Sequence, residues 1–533
     1  MNRTVFLVLA ILVIAGGVGA YVAMKPPAGE AGPVIRPGRP DETKTGDPGS
    51  KEKSAAAPSE KTLFDGWGTP PAALLLSGEQ QGRLEPCGCS EKQLGGLSRR
   101  MDLGLQLKQR GWSVAGVDLG GSLHTKRPTR RQSKMKFEVA LTALKDMNYR
   151  VLALGREELL QGLDLLTYHQ PEQLAFVSAN ARMFPSDLGI PTPMSVFELN
   201  GVKIGVTAAL GESQRREVVP AVPKPEDQKT GGEIDVIPAE QALAEVLPKL
   251  KAEQPQILIL ISQGTVEEGR ALAQKFPEFD LVVSTGGPED PDPRPEMIGK
   301  TMFFTVGLKG KHTGVAGLYP SEPAGQRIKY ELVDLDKDRY PGAARMTELM
   351  KLYQEQLASL DLAVNEPAIS HPTGATFTSA EACGKCHTKA LAKWKTTKHA
   401  HAFESLATGR KGEEATWISR TKDPECLACH VVGWEPQDIL RFEGGFRDET
   451  STPHLKGQQC ENCHGPGSVH AQEEETWVKT NQITPALIAA RKAMHLDQKT
   501  AEEKVCHQCH DLDNSPKFQF TKYWQDVAHP GRD

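Results

Sequence analysis

Short apolar runs recur along the middle of the chain and alternate with amphipathic stretches. Ala72–Leu76, Ser113–Leu119, Val151–Leu154, Ala175–Ser178, Val202–Ala208, Ile257–Ile261, Leu281–Ser284 and Met302–Val306 are short and rich in aliphatic residues, as strands buried on both faces are. Between them, Phe137–Met147 and Pro238–Ala252 space apolar residues at helical intervals. Buried strands alternating with helices predict an α/β layered domain over residues 63–340. Met346, Leu349, Met350, Tyr353, Leu357 and Leu360 predict one helix over Ala343–Ala363, within a linker at 341–374. Pro367 and Pro372 end that pattern. Over 375–533 strand-like runs almost vanish while Cys, His, Trp, Gly and Lys rise, which predicts a mostly α-helical, loop-rich domain.

Val5–Met24 is twenty residues without a charge, enough to span a bilayer. It predicts an N-terminal anchor at 1–24, with Arg3 inside and Lys25 onward outside. A signal peptide cleaved after Val18-Gly19-Ala20 is the alternative, and both export the body. Residues 25–62 hold almost no large apolar side chain and predict a disordered tether. The net charge of −5 over 533 residues shows no basic excess, so nucleic acid is not an expected partner.

Eight of the ten cysteines fall between Cys383 and Cys509, which argues against a general disulfide framework. They form Cys383-Gly-Lys-Cys386-His387, Cys426-Leu-Ala-Cys429-His430, Cys460-Glu-Asn-Cys463-His464 and Cys506-His-Gln-Cys509-His510. Two cysteines three apart reach two vinyl groups on one haem edge, and the following His binds the iron. Zinc sites also use Cys-x-x-Cys pairs, but a zinc ribbon has no need of a His directly after every second Cys. The motifs therefore predict four covalently attached haem c groups, with His387, His430, His464 and His510 as proximal ligands. His371, His399, His401, His454, His470, His495, His507 and His529 compete for four distal positions, so counting leaves that set open. Met494 is the only methionine in the segment, so mostly bis-His ligation with comparatively low potentials is expected.

Three further elements accompany the motifs: Trp394…His399-Ala400-His401-Ala402, Gly433, and Gly465-Pro466-Gly467-Ser468-Val469-His470. With them, residues 375–533 resemble the cytochrome c-554 family of tetrahaem electron carriers. The resemblance implies that His470 reaches a different haem. It implies a distal role for His399 or His401, with Phe403 and Leu406 favouring His401. It implies His529, after Phe518, Tyr523 and Trp524, as the ligand of the last haem, with His495 second. It also implies one five-coordinate iron, placed at the Cys426–His430 motif.

Leu74–Pro320 is similar to the metallophosphoesterase domain of periplasmic 5′-nucleotidases. Gly82-Arg83-Leu84-Glu85-Pro86, Gly95-Gly96-Leu97-Ser98-Arg99-Arg100, Ala179-Asn180 and Gly201–Gly205 carry the similarity. That chemistry needs two metals held by Asp, His and Asn. The expected ligand positions hold Glu79-Gln80-Gln81, Asp118-Leu119-Gly120-Gly121, Arg156-Glu157-Glu158, Ser262-Gln263-Gly264 and Gly286-Gly287-Pro288-Glu289. Nearly every imidazole is gone, and Arg156 is expected to place a positive charge where a metal belongs. The fold is expected without the dimetal hydrolase, and a single hard ion on Glu79, Asp118 and Glu157 is the residual alternative. Cys87-Gly88-Cys89, beside that mouth, reads as a redox dithiol or soft-metal site, or as a loop disulfide or inert thiols.

Three function classes follow. The first is electron transfer on the periplasmic side of the bacterial inner membrane, through four haems. Its partners are redox proteins or a membrane quinol-linked donor, and the degenerate domain serves docking or recognition. The second is a redox enzyme acting on a small nitrogen or sulfur compound at a five-coordinate haem. A metal-dependent 5′-nucleotidase-like hydrolase ranks last. No catalytic residue is assigned.

Overall fold

The computed structural model describes residues 62–86, 93–162, 166, 167, 170, 172–183, 189–219, 234–409, 414–529 and 531. The Val5–Met24 anchor, the tether up to Lys61 and Cys87-Gly88-Cys89 lie outside the described residues. Among the described residues no helix is long and apolar enough to cross a membrane.

Two six-stranded mixed sheets build the α/β part. The first runs, in spatial order, Ile328–Asp334, His312–Leu318, Ala72–Ser77, Val114–Asp118, Tyr149–Ala153 and Ala175–Val177. The second runs Glu296–Ile298, Thr301–Thr305, Leu281–Ser284, Ile257–Gln263, Val202–Leu210 and Met194–Leu199. Side chains alternate across a strand, and this alternation sets the layers. Ala72, Leu74 and Leu76 enter a core shared with Val206, Ile259, Ile261 and Val283 of the other sheet. Ala73 and Leu75 face the opposite way, against Leu103 and Leu107 of the helix Leu97–Gln109 and Phe137 of the helix Arg131–Asp146. Leu258, Leu260 and Val282 likewise meet Leu243 and Leu247 of the helix Ala239–Ala252. The result is helix, sheet, sheet, helix, with each buried Leu contributing roughly 2 kcal/mol.

The helix expected over Ala343–Ala363 divides into Ala344–Ser359 and Leu362–Asn365, because Asp361 adopts a left-handed conformation at φ 44°. Met346, Leu349, Tyr353 and Leu357 join the core of the α/β part. Beyond it, short helices and two small strand pairings carry the cysteine motifs. The apolar cluster there centres on Phe403, Leu427, Val431, Trp434 and Phe446. The helices Thr388–Lys395 and Ser468–Thr480 hold no fully buried side chain. Residues 62–533 form one compact unit. Hydrogen bonds and ion pairs join its two parts at Arg420–Glu85, Gln132–Asp423, Lys136–Glu425, Arg83–Asp513 and Lys309–Asp513.

Candidate functional site

Each motif lies on a tight backbone turn. Cys426, Cys429 and His430 end the helix Pro424–His430, and Cys460–His464 is helical throughout. In the other two motifs the His amide bonds back to the first cysteine carbonyl, His387 to Cys383 at 3.0 Å and His510 to Cys506 at 2.9 Å. A spacing of three or four residues on a helical turn is what places these groups on one face.

The structure then brings histidines of different segments together in pairs. The ring centroids of His387 and His470 lie 6.3 Å apart, those of His399 and His510 6.0 Å, and those of His464 and His529 6.0 Å. Two imidazoles on opposite faces of one metal, with bonds of about 2 Å and the nitrogen about 1.1 Å from its ring centre, set centroids roughly 6 Å apart. The hydrogen bonds at the far ring nitrogen fit the same arrangement. Nδ1 of His430 donates to the Ala402 carbonyl at 2.6 Å, that of His464 to Met494 at 2.7 Å and that of His529 to Val527 at 2.8 Å. An Nδ1–H held this way leaves the Nε2 lone pair for a metal. Nδ1 of His510 meets Ser515 Oγ at 2.9 Å. Burial lowers the pKa of His399, His464 and His470, and takes His510 to about 4, so these rings are neutral at pH 7 as metal ligands must be. The donor set therefore fits haem c.

Two placements differ from the expectation. His399, not His401, faces His510, and the His401 side chain is exposed at the start of the helix Ala402–Thr408. His529 faces His464 of the third motif, not His510 of the fourth. The helix Phe520–Val527, about 12 Å long, separates His529 from Phe518. Phe518 remains behind, stacked on His510 with centroids 4.4 Å apart. Other candidates are engaged elsewhere: His371 bonds to Thr373 Oγ1 and packs on Phe442, and His507 packs edge-on against Phe518.

In the α/β part the expected positions cluster at the carboxyl ends of the parallel strands, where such sheets place their sites. Asp118 accepts from Ser77 Oγ at 2.7 Å and from the Gly120 amide at 3.0 Å, and the Arg100 guanidinium lies 3.7 Å away. Arg100, 1% exposed, also donates to Ser77 Oγ at 3.0 Å and to Gln80 Oε1 at 2.5 Å. The expected role of Arg156 is thus corrected. Arg156 turns to Glu157 at 3.0 Å and Glu217 at 2.7 Å, and Arg100 supplies the central cation. Burial, above all, raises Glu79 to about 7, Asp118 to about 6 and Glu158 to about 8. Glu158 accepts from the amides of Gly121, Ser122 and Gly155. Among the described residues no group of three or more His, Cys, Asp or Glu is placed to hold a metal ion. Asp118 is already committed to Ser77, Gly120 and Arg100.

The chain is similar to known proteins in both parts. Among solved structures it resembles the 5′-nucleotidase precursor of Thermus thermophilus, at 17% identity and TM-score 0.45, covering 56% of this chain and 61% of that one. It also resembles the calcineurin-like phosphoesterase YfkN of Bacillus subtilis, at 16% identity and TM-score 0.43, covering 54% of this chain and 97% of that one. The family model described as cytochrome c554 and c-prime matches residues 382–465. Cytochrome c-554 of Nitrosomonas europaea is 32% identical over 168 residues, covering 29% of this chain and 67% of that protein. With its Cys-x-x-Cys-His turns and facing histidines, this chain belongs to the cytochrome c-554 family and is a c-type cytochrome.

Proposed function

We propose that the chain is a periplasmic electron-transfer protein, tethered to the inner membrane by Val5–Met24 and carrying four covalently bound haem c groups. It relays electrons between a quinol-linked membrane donor, or another redox partner protein, and a periplasmic acceptor. The observation that carries this reading is the set of three cross-segment histidine pairs at 6.0–6.3 Å, each joining a motif histidine to one outside its own motif.

Bound haem supplies one-electron exchange at iron. The remaining work falls to the chain. The cysteine pairs fix the ring edges. His387 with His470, His510 with His399, and His464 with His529 are the residues that would hold iron. The carbonyls of Ala402, Met494 and Val527 fix the orientation of His430, His464 and His529. Bis-His ligation sets potentials below those of His/Met cytochromes. The α/β body serves docking or recognition, because Arg100 and its partners fill the place of a hydrolytic metal centre.

Coulometric titration of the purified full-length protein tests this. Uptake of four electrons per chain, at potentials below the His/Met range, is expected. Uptake of fewer than four electrons, or potentials of the His/Met kind, overturns the reading.

A further inference from the structure

The loop after the fourth motif is held by the α/β body. Asp513 pairs with Arg83 at 2.7 Å and with Lys309 at 2.6 Å, cations from two separate loops of that body. Gln93 donates to the Asp513 carbonyl. Lys309 also pairs with Glu289 at 2.8 Å, and Lys311 pairs with Glu289 as well, so the charges alternate along a network. Arg83, Asp513 and Lys309 are only 20–33% exposed, which protects the pairs from screening better than a surface contact.

The anchored loop is a stiff turn. Asp511 Oδ1 accepts from the amides of Asp513 at 3.0 Å and Asn514 at 2.7 Å, and the Ser515 amide bonds to the Asp511 carbonyl at 2.8 Å. Ser515 Oγ is in turn the partner of His510 Nδ1, at 2.9 Å. An unbroken series of contacts thus runs from the two body cations through Asp513 to the proximal histidine of the fourth motif. Groups that hold the far nitrogen of a ligating His fix its tautomer and tune its basicity.

We propose that Arg83 and Lys309 are positioning residues for the haem of the fourth motif, acting through Asp513 and Ser515 on His510. This rests on the haem reading above. It gives the α/β body a redox role: the edge that follows the former first metal motif now serves as an outer shell for one iron. Asp513→Asn releases the clamp and removes a negative charge, and both effects raise that haem's potential.

The test is electron paramagnetic resonance with potentiometry on the full-length holoprotein. The fourth haem's signal is assigned as the one lost in His399→Ala. In D513N that signal splits or broadens and its potential rises by a factor of about three to ten in the reduction equilibrium, roughly 30–59 mV for one electron. D513E restores the wild-type spectrum, R83Q/K309Q perturbs the same signal, and R345Q, at the Arg345–Asp146 pair outside this network, leaves it alone. Should D513N not fold, R83Q/K309Q serves as the perturbing variant. Four attached haems with every signal unchanged in D513N and R83Q/K309Q overturns the inference alone. Wild-type protein lacking a haem on the fourth motif overturns instead the reading on which it rests.

Discussion

Replacing His399 by Ala, beside the same change at His401, separates two histidines that stand two residues apart in the chain. The His399 ring lies 6.0 Å from that of His510, close to the roughly 6 Å that two axial imidazoles on one metal require. Burial, and next the neighbouring His430, keeps the His399 pKa below its ordinary value, so the ring is neutral and able to ligate at pH 7. The His401 side chain is exposed. His399→Ala is therefore expected to convert one bis-His iron to a five-coordinate, high-spin one, about a quarter of the haem if four are bound. The potential of that haem shifts while those of the others hold. His401→Ala is expected to leave the low-spin intensity unchanged. Low-temperature electron paramagnetic resonance, with spin integration of the high- and low-spin signals, measures both. Conversion by His401→Ala and not by His399→Ala refutes the geometric argument.

Asp423 caps the second-motif helix and accepts from Gln132 at 2.7 Å and Gln354 at 2.8 Å, so Asp423→Ala costs about 2–4 kcal/mol, read by thermal or urea unfolding of the holoprotein. Arg100→Gln leaves the buried Asp118 carboxylate without its cation and costs about 3–5 kcal/mol by the same assay. Arg100→Met with Asp118→Leu removes both charges and is expected to cost less than the single change. For the pH dependence, Glu158 is completely buried and its folded pKa, raised to about 8, lies above the ordinary glutamate value of 4.5. The folded state therefore binds a proton that the unfolded state has lost, so its contribution is full below about pH 4.5 and falls as pH rises to 8. The swing is roughly 5 kcal/mol, so the urea midpoint should drop between about pH 4.5 and 8, and Glu158→Gln should flatten the drop.

The layered α/β body was legible because its central strands are continuous apolar runs. His312–Leu318 was not, because Gly314 and Gly317 dilute the run. Packing explains one of them: a Cβ at Gly314 would meet the Tyr330 ring at 2.9 Å. The four Cys-x-x-Cys-His motifs were readable from local spacing alone. The distal side depends on which segments the tertiary fold brings together, so His399 and His401 could not be separated by residue type. Arg100 carried an overlooked signal. It shares the inward stripe of Leu97, Met101 and Leu107 on one helix, so helical spacing turned it toward the core. Asp513 carried no local signal, since its partners Arg83 and Lys309 lie hundreds of residues away.

In the proposed function all four Cys-x-x-Cys-His turns carry haem. Intact mass and peptide mapping of the protein purified from an exporting, haem-attaching host test it most directly. A mass increment of four haems is expected, with both cysteines of each pair, from Cys383 and Cys386 to Cys506 and Cys509, in thioether linkage. Free thiols or bound zinc at any of the four pairs would contradict it.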